Sequence, residues 1–161
     1  MSVSIRVILD WEEEDVFRDL LVPAETDLLQ LHDAILKSFQ LASGEMASYY
    51  RSNENWDQGE EIPMMAFDDK QATMEHFLVE DIFSSKGKKL LYVYDFLSMW
   101  TFYLESMNIL EEEPEGIKVT QIKGHRPPEA PEKKDNRSDS DLFGDLDLDL
   151  GEFEDLDDYE E

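Results

Sequence analysis

Three isolated histidines, one carboxylate set inside an apolar run and three tryptophans are the residues of this 161-residue chain best placed to do chemistry. His32, His76 and His125 form no His-x-x-x-His or Glu-x-x-His pair, the spacings that put two metal ligands on one helical face. No cysteine is present, which excludes disulfides, thiolate catalysis and Cys-based zinc sites. Asp145, Asp147 and Asp149 alternate like the first ligands of an EF-hand loop. Counted from Asp145, however, the sixth position is Leu150 and the twelfth is Leu156, where that loop needs Gly and Glu. No Gly-rich phosphate loop and no Gly-x-Ser-x-Gly elbow occurs. The sequence therefore predicts no catalytic residue, no metal site and no cofactor.

Asp95 lies between Tyr94 and Phe96 at the end of an apolar strand, where a carboxylate is either buried with a raised pKa or caps the following turn through backbone N–H groups. Together with Trp100 it marks the place where a small-ligand or enzymatic pocket, an alternative reading of the chain, would lie, although Trp100 opens a strand and is more simply core. Trp56 sits in the polar run Asn53-Glu54-Asn55-Trp56-Asp57-Gln58-Gly59. It is either an exposed partner anchor or a side chain folded back onto a sheet.

Positioning these residues requires an α+β fold. Val3, Ile5, Val7 and Leu9 alternate as in a half-buried strand, and Val16–Val22 resumes the extended pattern after an acidic turn, giving a β-hairpin. Thr26 or Asp27 then caps a helix whose apolar positions Leu28, Leu31, Ile35, Leu36 and Phe39 recur at three- and four-residue spacing. Met46–Arg51 reads as a third strand, residues 52–61 as a loop and Leu78–Phe83 as one helical turn. Leu90–Phe96 follows as a central strand, then Trp100–Met107 and residues 116–124 as two more. Hairpin, helix, strand, helical turn and central strand is the order of β-grasp folds, so a β-grasp-like mixed sheet with one main helix and an added hairpin or meander is expected. The domain spans residues 1–124, a Pro-rich polar linker 125–140, and an acidic-hydrophobic tail 141–161 is expected to be disordered.

Charge narrows the partners. The chain carries 40 acidic and 14 basic residues, and residues 135–161 alone account for −12 of the net −26. Direct binding to DNA or RNA is disfavoured, because phosphate contacts need clustered Lys and Arg. A protein partner, and a basic one, is the better expectation. The first ten residues lack the basic and long apolar regions of a signal peptide, and no apolar run approaches the roughly 20 residues of a membrane span. A cytoplasmic address without membrane contact follows. The tail disperses Leu142, Phe143, Leu146, Phe153, Leu156 and Tyr159 among its acids, a pattern that stays soluble while offering apolar anchors. An interaction protein with the tail as recognition segment is thus the leading reading. A purely solubilising tail and an acidic nucleic-acid mimic that occupies a basic DNA-binding protein remain beside it.

Two segments resemble a known family. Leu28-Leu29-Gln30-Leu31-His32-Asp33-Ala34-Ile35 is similar to a Leu-x-x-Leu-His-x-x-Ile run, and Tyr92-Val93-Tyr94-Asp95-Phe96-Leu97-Ser98-Met99-Trp100 to a Tyr-x-Tyr-Asp-Phe-Gly-Asp-x-Trp run. Both are found in the plasmid pRiA4b ORF-3-like family, whose members are often labelled transposon passenger or TnpR-like proteins. The resemblance spans most of residues 1–132 and implies a fold without an established activity. Leu97 and Ser98 replace the family's Gly-Asp pair, Phe102 stands where the family has His, and the stretch after Gly124 lacks the family's Cys. Any metal those residues hold in relatives is not expected here. Recombinase chemistry is not implied either, because Arg6, Arg18, Arg51, Arg126 and Arg137 are scattered along the chain.

Overall fold

A computed structural model describes residues 1–131, which form one compact unit from Met1 to Pro131. The elements are β1 (Ser2–Leu9), β2 (Phe17–Pro23), α1 (Leu28–Ser38), β3 (Ala47–Arg51), β4 (Glu61–Pro63), a 3₁₀ turn (Met74–His76), α2 (Val79–Ile82), β5 (Lys89–Tyr94), β6 (Trp100–Leu110) and β7 (Lys118–Lys123). The strands make a single sheet in the order β4-β3-β5-β6-β1-β2-β7. Every pairing in it is antiparallel.

The α+β class with one main helix is thus as expected, while the mixed sheet is corrected to an antiparallel one. In a β-grasp arrangement the first strand lies beside a parallel neighbour; here β1 is flanked by β2 and β6, each running against it. The cause is topological. The long strand β6 returns as a hairpin from β5 and fills the place beside β1 that a parallel strand would need. Strand β4 falls in a stretch whose apolar pattern is too short to predict a strand, three residues held by pairing to β3.

Helix α1 begins where the sequence says it should. Asp27 accepts a hydrogen bond from the Gln30 amide at 2.8 Å, and the Gln30 side chain accepts from the Asp27 amide at 3.2 Å, a reciprocal capping box. Its buried stripe of Leu28, Leu31, His32, Ile35 and Leu36 covers one face of the sheet. That face supplies Val3, Ile5 and Val7 from β1, Leu20 and Val22 from β2, Tyr49 from β3, Leu90 and Tyr92 from β5, and Phe102 and Leu104 from β6. Each fully buried Leu, Ile or Phe contributes roughly 1.5–3 kcal/mol of transfer free energy, so this single helix–sheet layer dominates the stability. The Tyr49 hydroxyl donates to the Leu28 carbonyl at 2.8 Å, fixing the helix start over β3. Phe39 packs on Phe102 with ring centroids 4.7 Å apart and fixes the other end.

Arg18 belongs to this layer despite its charge. It is only 5% exposed, and its guanidinium donates to the carbonyls of Ser38, Phe17, Lys123 and Gly124 at 2.8, 2.9, 3.2 and 3.1 Å. It also lies over the Phe39 ring at 4.6 Å. One side chain thus ties the C-terminal turn of α1, where the helix dipole favours a cation, to the end of β7.

Candidate functional site

The β5–β6 hairpin turn decides how the Asp95 region is used. Asp95 and Met99 both adopt left-handed backbone, each with φ 60°, and the Met99 amide donates to the Asp95 carbonyl at 2.6 Å to close the turn. The Asp95 carboxylate accepts from the Leu97 amide at 3.2 Å, and its own amide donates to the Met46 carbonyl at 2.8 Å. Of the two roles open to Asp95, the structure displays turn capping, with the side chain half-buried. Trp100 is 5% exposed within the core, its ring beneath the Arg126 guanidinium at 5.4 Å. Arg126 is itself held by the carbonyls of Phe39, Pro127 and Gln40. Asp95 and Trp100 therefore open and close one turn, the first bonded to that turn's backbone and the second packed inward.

What this turn presents outward is apolar. Among the described residues nine large apolar side chains are exposed: Met1, Met46, Met65, Phe67, Phe96, Leu97, Met99, Val119 and Ile122. The strand register brings six of them to one end of the sheet. Ala47 pairs with Tyr94 and Tyr94 with Trp100, so Met46 and the turn Phe96-Leu97-Ser98-Met99 adjoin. Pro63 pairs with Ser48, so the chain leaves β4 at this same end, carrying Met65 and then Phe67. Phe67 and Leu97 are each 96% exposed. Glu45, Asp68, Asp69 and Asp95 punctuate the same segments, with Lys70 as the base. The sequence carried a signal for this patch, because a turn reading Phe-Leu-Ser-Met lacks the Gly, Asn and Pro that turns usually demand. Reading Phe96 as the end of the central strand conceals it.

The helix-free face of the sheet is built in rows across the strands. Lys89, Glu105, Arg6 and Asp19 follow one another in register on β5, β6, β1 and β2. They alternate in charge, and Arg6 grips Asp19 through two bonds of 2.8 and 2.9 Å; the hydrogen bond to Asp19 raises the Arg6 pKa. The next row, Tyr50, Leu91, Tyr103, Ile8 and Phe17, is apolar and aromatic. Trp56, with φ 61°, folds back onto it. Its ring lies 4.9 Å from Tyr103, with the Lys89 ammonium 5.3 Å from its centroid. The folded-back alternative is thus the one displayed.

His32 is buried under α1, its Nδ1 2.6 Å from the Tyr92 hydroxyl. Burial lowers its pKa, opposed by Asp33, and the direction of its hydrogen bond with Tyr92 is set by the ring tautomer. Burial pushes the pKa values of the Tyr49 and Tyr92 hydroxyls well above their ordinary range, which keeps both protonated. His76 is exposed and accepts from the Thr73 amide at 3.0 Å, and His125 is exposed. The three histidines are not brought together. Among the described residues no group of three or more His, Asp or Glu is placed to hold a metal ion, and no helix is long and apolar enough to cross a membrane. An open depression of about 550 Å³ lies beside α1, bordered by Thr26, Gln30, Asp33, Lys37, Glu115 and Ile117. It is remote in register from Asp95 and Trp100. Leu142, Phe143, Leu146, Phe153, Leu156 and Tyr159 lie outside the described residues.

The architecture has a counterpart among solved structures. A protein of unknown function from Methanosarcina mazei Go1 superposes with a TM-score of 0.59 at 19% identity, over 75% of this chain and 68% of that one. At that identity the likeness shows the fold. No curated protein matches the sequence. Residues 1–133 match the family described as plasmid pRiA4b ORF-3-like protein, a span that holds the Leu-x-x-Leu-His helix over β5 and the Tyr-x-Tyr-Asp-Phe strand with its turn. This chain belongs to the plasmid pRiA4b ORF-3-like family.

Proposed function

We propose that this chain is a non-catalytic protein-interaction module that docks through the apolar end of its sheet. The observation that carries the reading is the convergence of Met46, Met65, Phe67, Phe96, Leu97 and Met99 there, six of the nine large apolar side chains exposed among the described residues. Exposed apolar side chains gathered at one end of a folded domain support a contact site. Three of the six are methionines, whose unbranched side chains re-pack against differently shaped surfaces. The acids beside them, Glu45, Asp68, Asp69 and Asp95, select a partner whose apolar anchors are rimmed by Lys and Arg. The acidic-hydrophobic residues 141–161 have the same composition and supply a second recognition element for such a partner.

The test is quantitative affinity purification with the full chain and with the double variant Phe67→Ser, Leu97→Ser. Both side chains are almost wholly exposed, so the fold is retained. A partner anchored on them loses about 2 kcal/mol or more, which lowers its recovery roughly 30-fold. If every protein recovered with the wild type is recovered equally with the variant, the sheet end is not a docking site.

A further inference from the structure

The helix-free face of the sheet is complementary to itself. Its charged row runs Lys89, Glu105, Arg6 and Asp19 across β5, β6, β1 and β2, in the order plus, minus, plus, minus. Turned end for end about a line between β6 and β1, the row becomes minus, plus, minus, plus. A second copy laid face to face on that line therefore sets Arg6 against Glu105 and Lys89 against Asp19. The two side chains beside the line are the most open of the four, Arg6 being 31% and Glu105 32% exposed. The neighbouring row obeys the same line. Pairing of Phe17 with Lys123 extends it to β7, so Tyr103, Leu91 and Tyr50 of one copy meet Ile8, Phe17 and Lys123 of the other.

We propose that two copies of this chain pair through the helix-free face, as an isologous dimer whose two-fold axis runs along the strands between β6 and β1. The way the face is covered agrees. Trp56 folds onto one half of it, with its ring 4.9 Å from Tyr103 and the Lys89 ammonium 5.3 Å from its centroid. The other half holds Ile8 and Phe17, both half-buried, with the Arg6 guanidinium 4.1 Å from the Phe17 ring. In the dimer each Trp56 lies against Ile8 and Phe17 of the other copy. Charge at the margins agrees too. The loop that bears Trp56 carries the exposed acids Glu54 and Asp57 beside β3, whereas β7, at the far side, carries Lys118 and Lys123 and no acid. The rotation brings the first over the second, and Lys123 has Asp15 as its partner within the chain at 3.7 Å. In a chain of 40 acids and 14 bases most of the surface repels a second copy, and this face is matched instead. Its size is sufficient for a weak dimer. Five strands about 4.8 Å apart and about six residues long cover roughly 24 by 20 Å, or about 1,000 Å² over both copies, the lower bound for a specific interface. Sheets stacked with their strands within about 30° of each other pack in this manner. The face shares no residue with the apolar sheet end, so either reading can fail without the other.

Sedimentation of the full chain at about 100 µM tests it, a concentration at which a weak interface is populated. Wild type is expected to sediment as a dimer. Ile8→Lys places a charge where Tyr103 of the second copy lies, and Trp56→Ser removes a side chain carried by a loop. Each is expected to weaken dimerisation at least 10-fold, with circular dichroism checking the fold; should Ile8→Lys fail to fold, Trp56→Ser decides. Leu97→Ser, on the apolar sheet end, is expected to leave the dimer intact. A wild-type monomer at this concentration overturns the proposal, as does a dimer that either folded face variant leaves at full strength. A dimer lost with Leu97→Ser assigns the pairing to the sheet end and likewise overturns it.

Discussion

Replacing Arg18 by Met separates the carbonyl-gathering role of this side chain from its apolar bulk. Methionine keeps the length of the stem over Phe39, so little cavity opens, but three carbonyls distant in sequence, those of Ser38, Lys123 and Gly124, lose their donor. A hydrogen bond from a charged donor contributes about 1.5–3 kcal/mol. Against the sum of three stands the cost of keeping a guanidinium 5% exposed, several kcal/mol for an ion removed from water. The same desolvation lowers the Arg18 pKa, yet arginine remains protonated throughout the working pH range. The net loss is about 3 kcal/mol, equivalent to a fall in Tm of roughly 6–12 °C at about 2–4 °C per kcal/mol for a chain of this size. Differential scanning calorimetry of the two full chains measures it. A fall under about 2 °C refutes the reasoning, because these three carbonyls would then be satisfied without the charge.

The remaining predictions test the joints around that layer. Gly124, with φ +74°, has no room for a side chain, since a Cβ there would sit 2.8 Å from the Asp15 carbonyl oxygen; Gly124→Ala is expected to cost on the order of 2 kcal/mol in urea unfolding, and an unchanged midpoint contradicts the turn geometry. Tyr49→Phe leaves the Leu28 carbonyl without its buried donor and is expected to cost about 1–2 kcal/mol, measured the same way. For His32 the sign follows from its lowered pKa. Above about pH 6.5 the ring is neutral whether the chain is folded or unfolded; below it the unfolded chain binds a proton that the folded one resists, so stability falls as pH drops. Unfolding free energies at pH 7.5 and pH 5.5 should therefore differ more for wild type than for His32→Gln, and equal differences count against burial of a neutral imidazole.

Periodicity made the individual elements legible because each depends on near neighbours. Leu28, Leu31, Ile35 and Leu36 define α1 by spacing alone, and of the two caps the sequence leaves open, Thr26 and Asp27, the structure uses Asp27. The alternation of Val3, Ile5, Val7 and Leu9 likewise defines β1 and its inward face. The direction of pairing is not local. Nothing between residues 90 and 110 states that β6 will lie between β5 and β1, and that placement is what makes the sheet antiparallel throughout. Arg18 shows the same limit, since a charged residue in an alternating strand reads as solvent-facing until the carbonyls of α1 and β7 converge on it.

The apolar sheet end was hidden for a related reason, and the reason bears on the docking role proposed for it. Met46, Met65 and Leu97 lie in three separate connections, and β3 alone, by pairing with both β4 and β5, brings them together. Had Phe96-Leu97-Ser98-Met99 served stability, its side chains would be buried; instead Met99 holds left-handed backbone, which costs a non-glycine residue about 1–2 kcal/mol, while Leu97 stays exposed. A glycine at position 97, as in the family's pattern, would close the turn without adding apolar surface. The turn's hydrogen bonds hold this backbone in place, while its exposed apolar side chains add nothing to the isolated fold. A partner that buries Phe96, Leu97 and Met99 would offset both, so the turn should exchange more slowly in the complex than in the free chain.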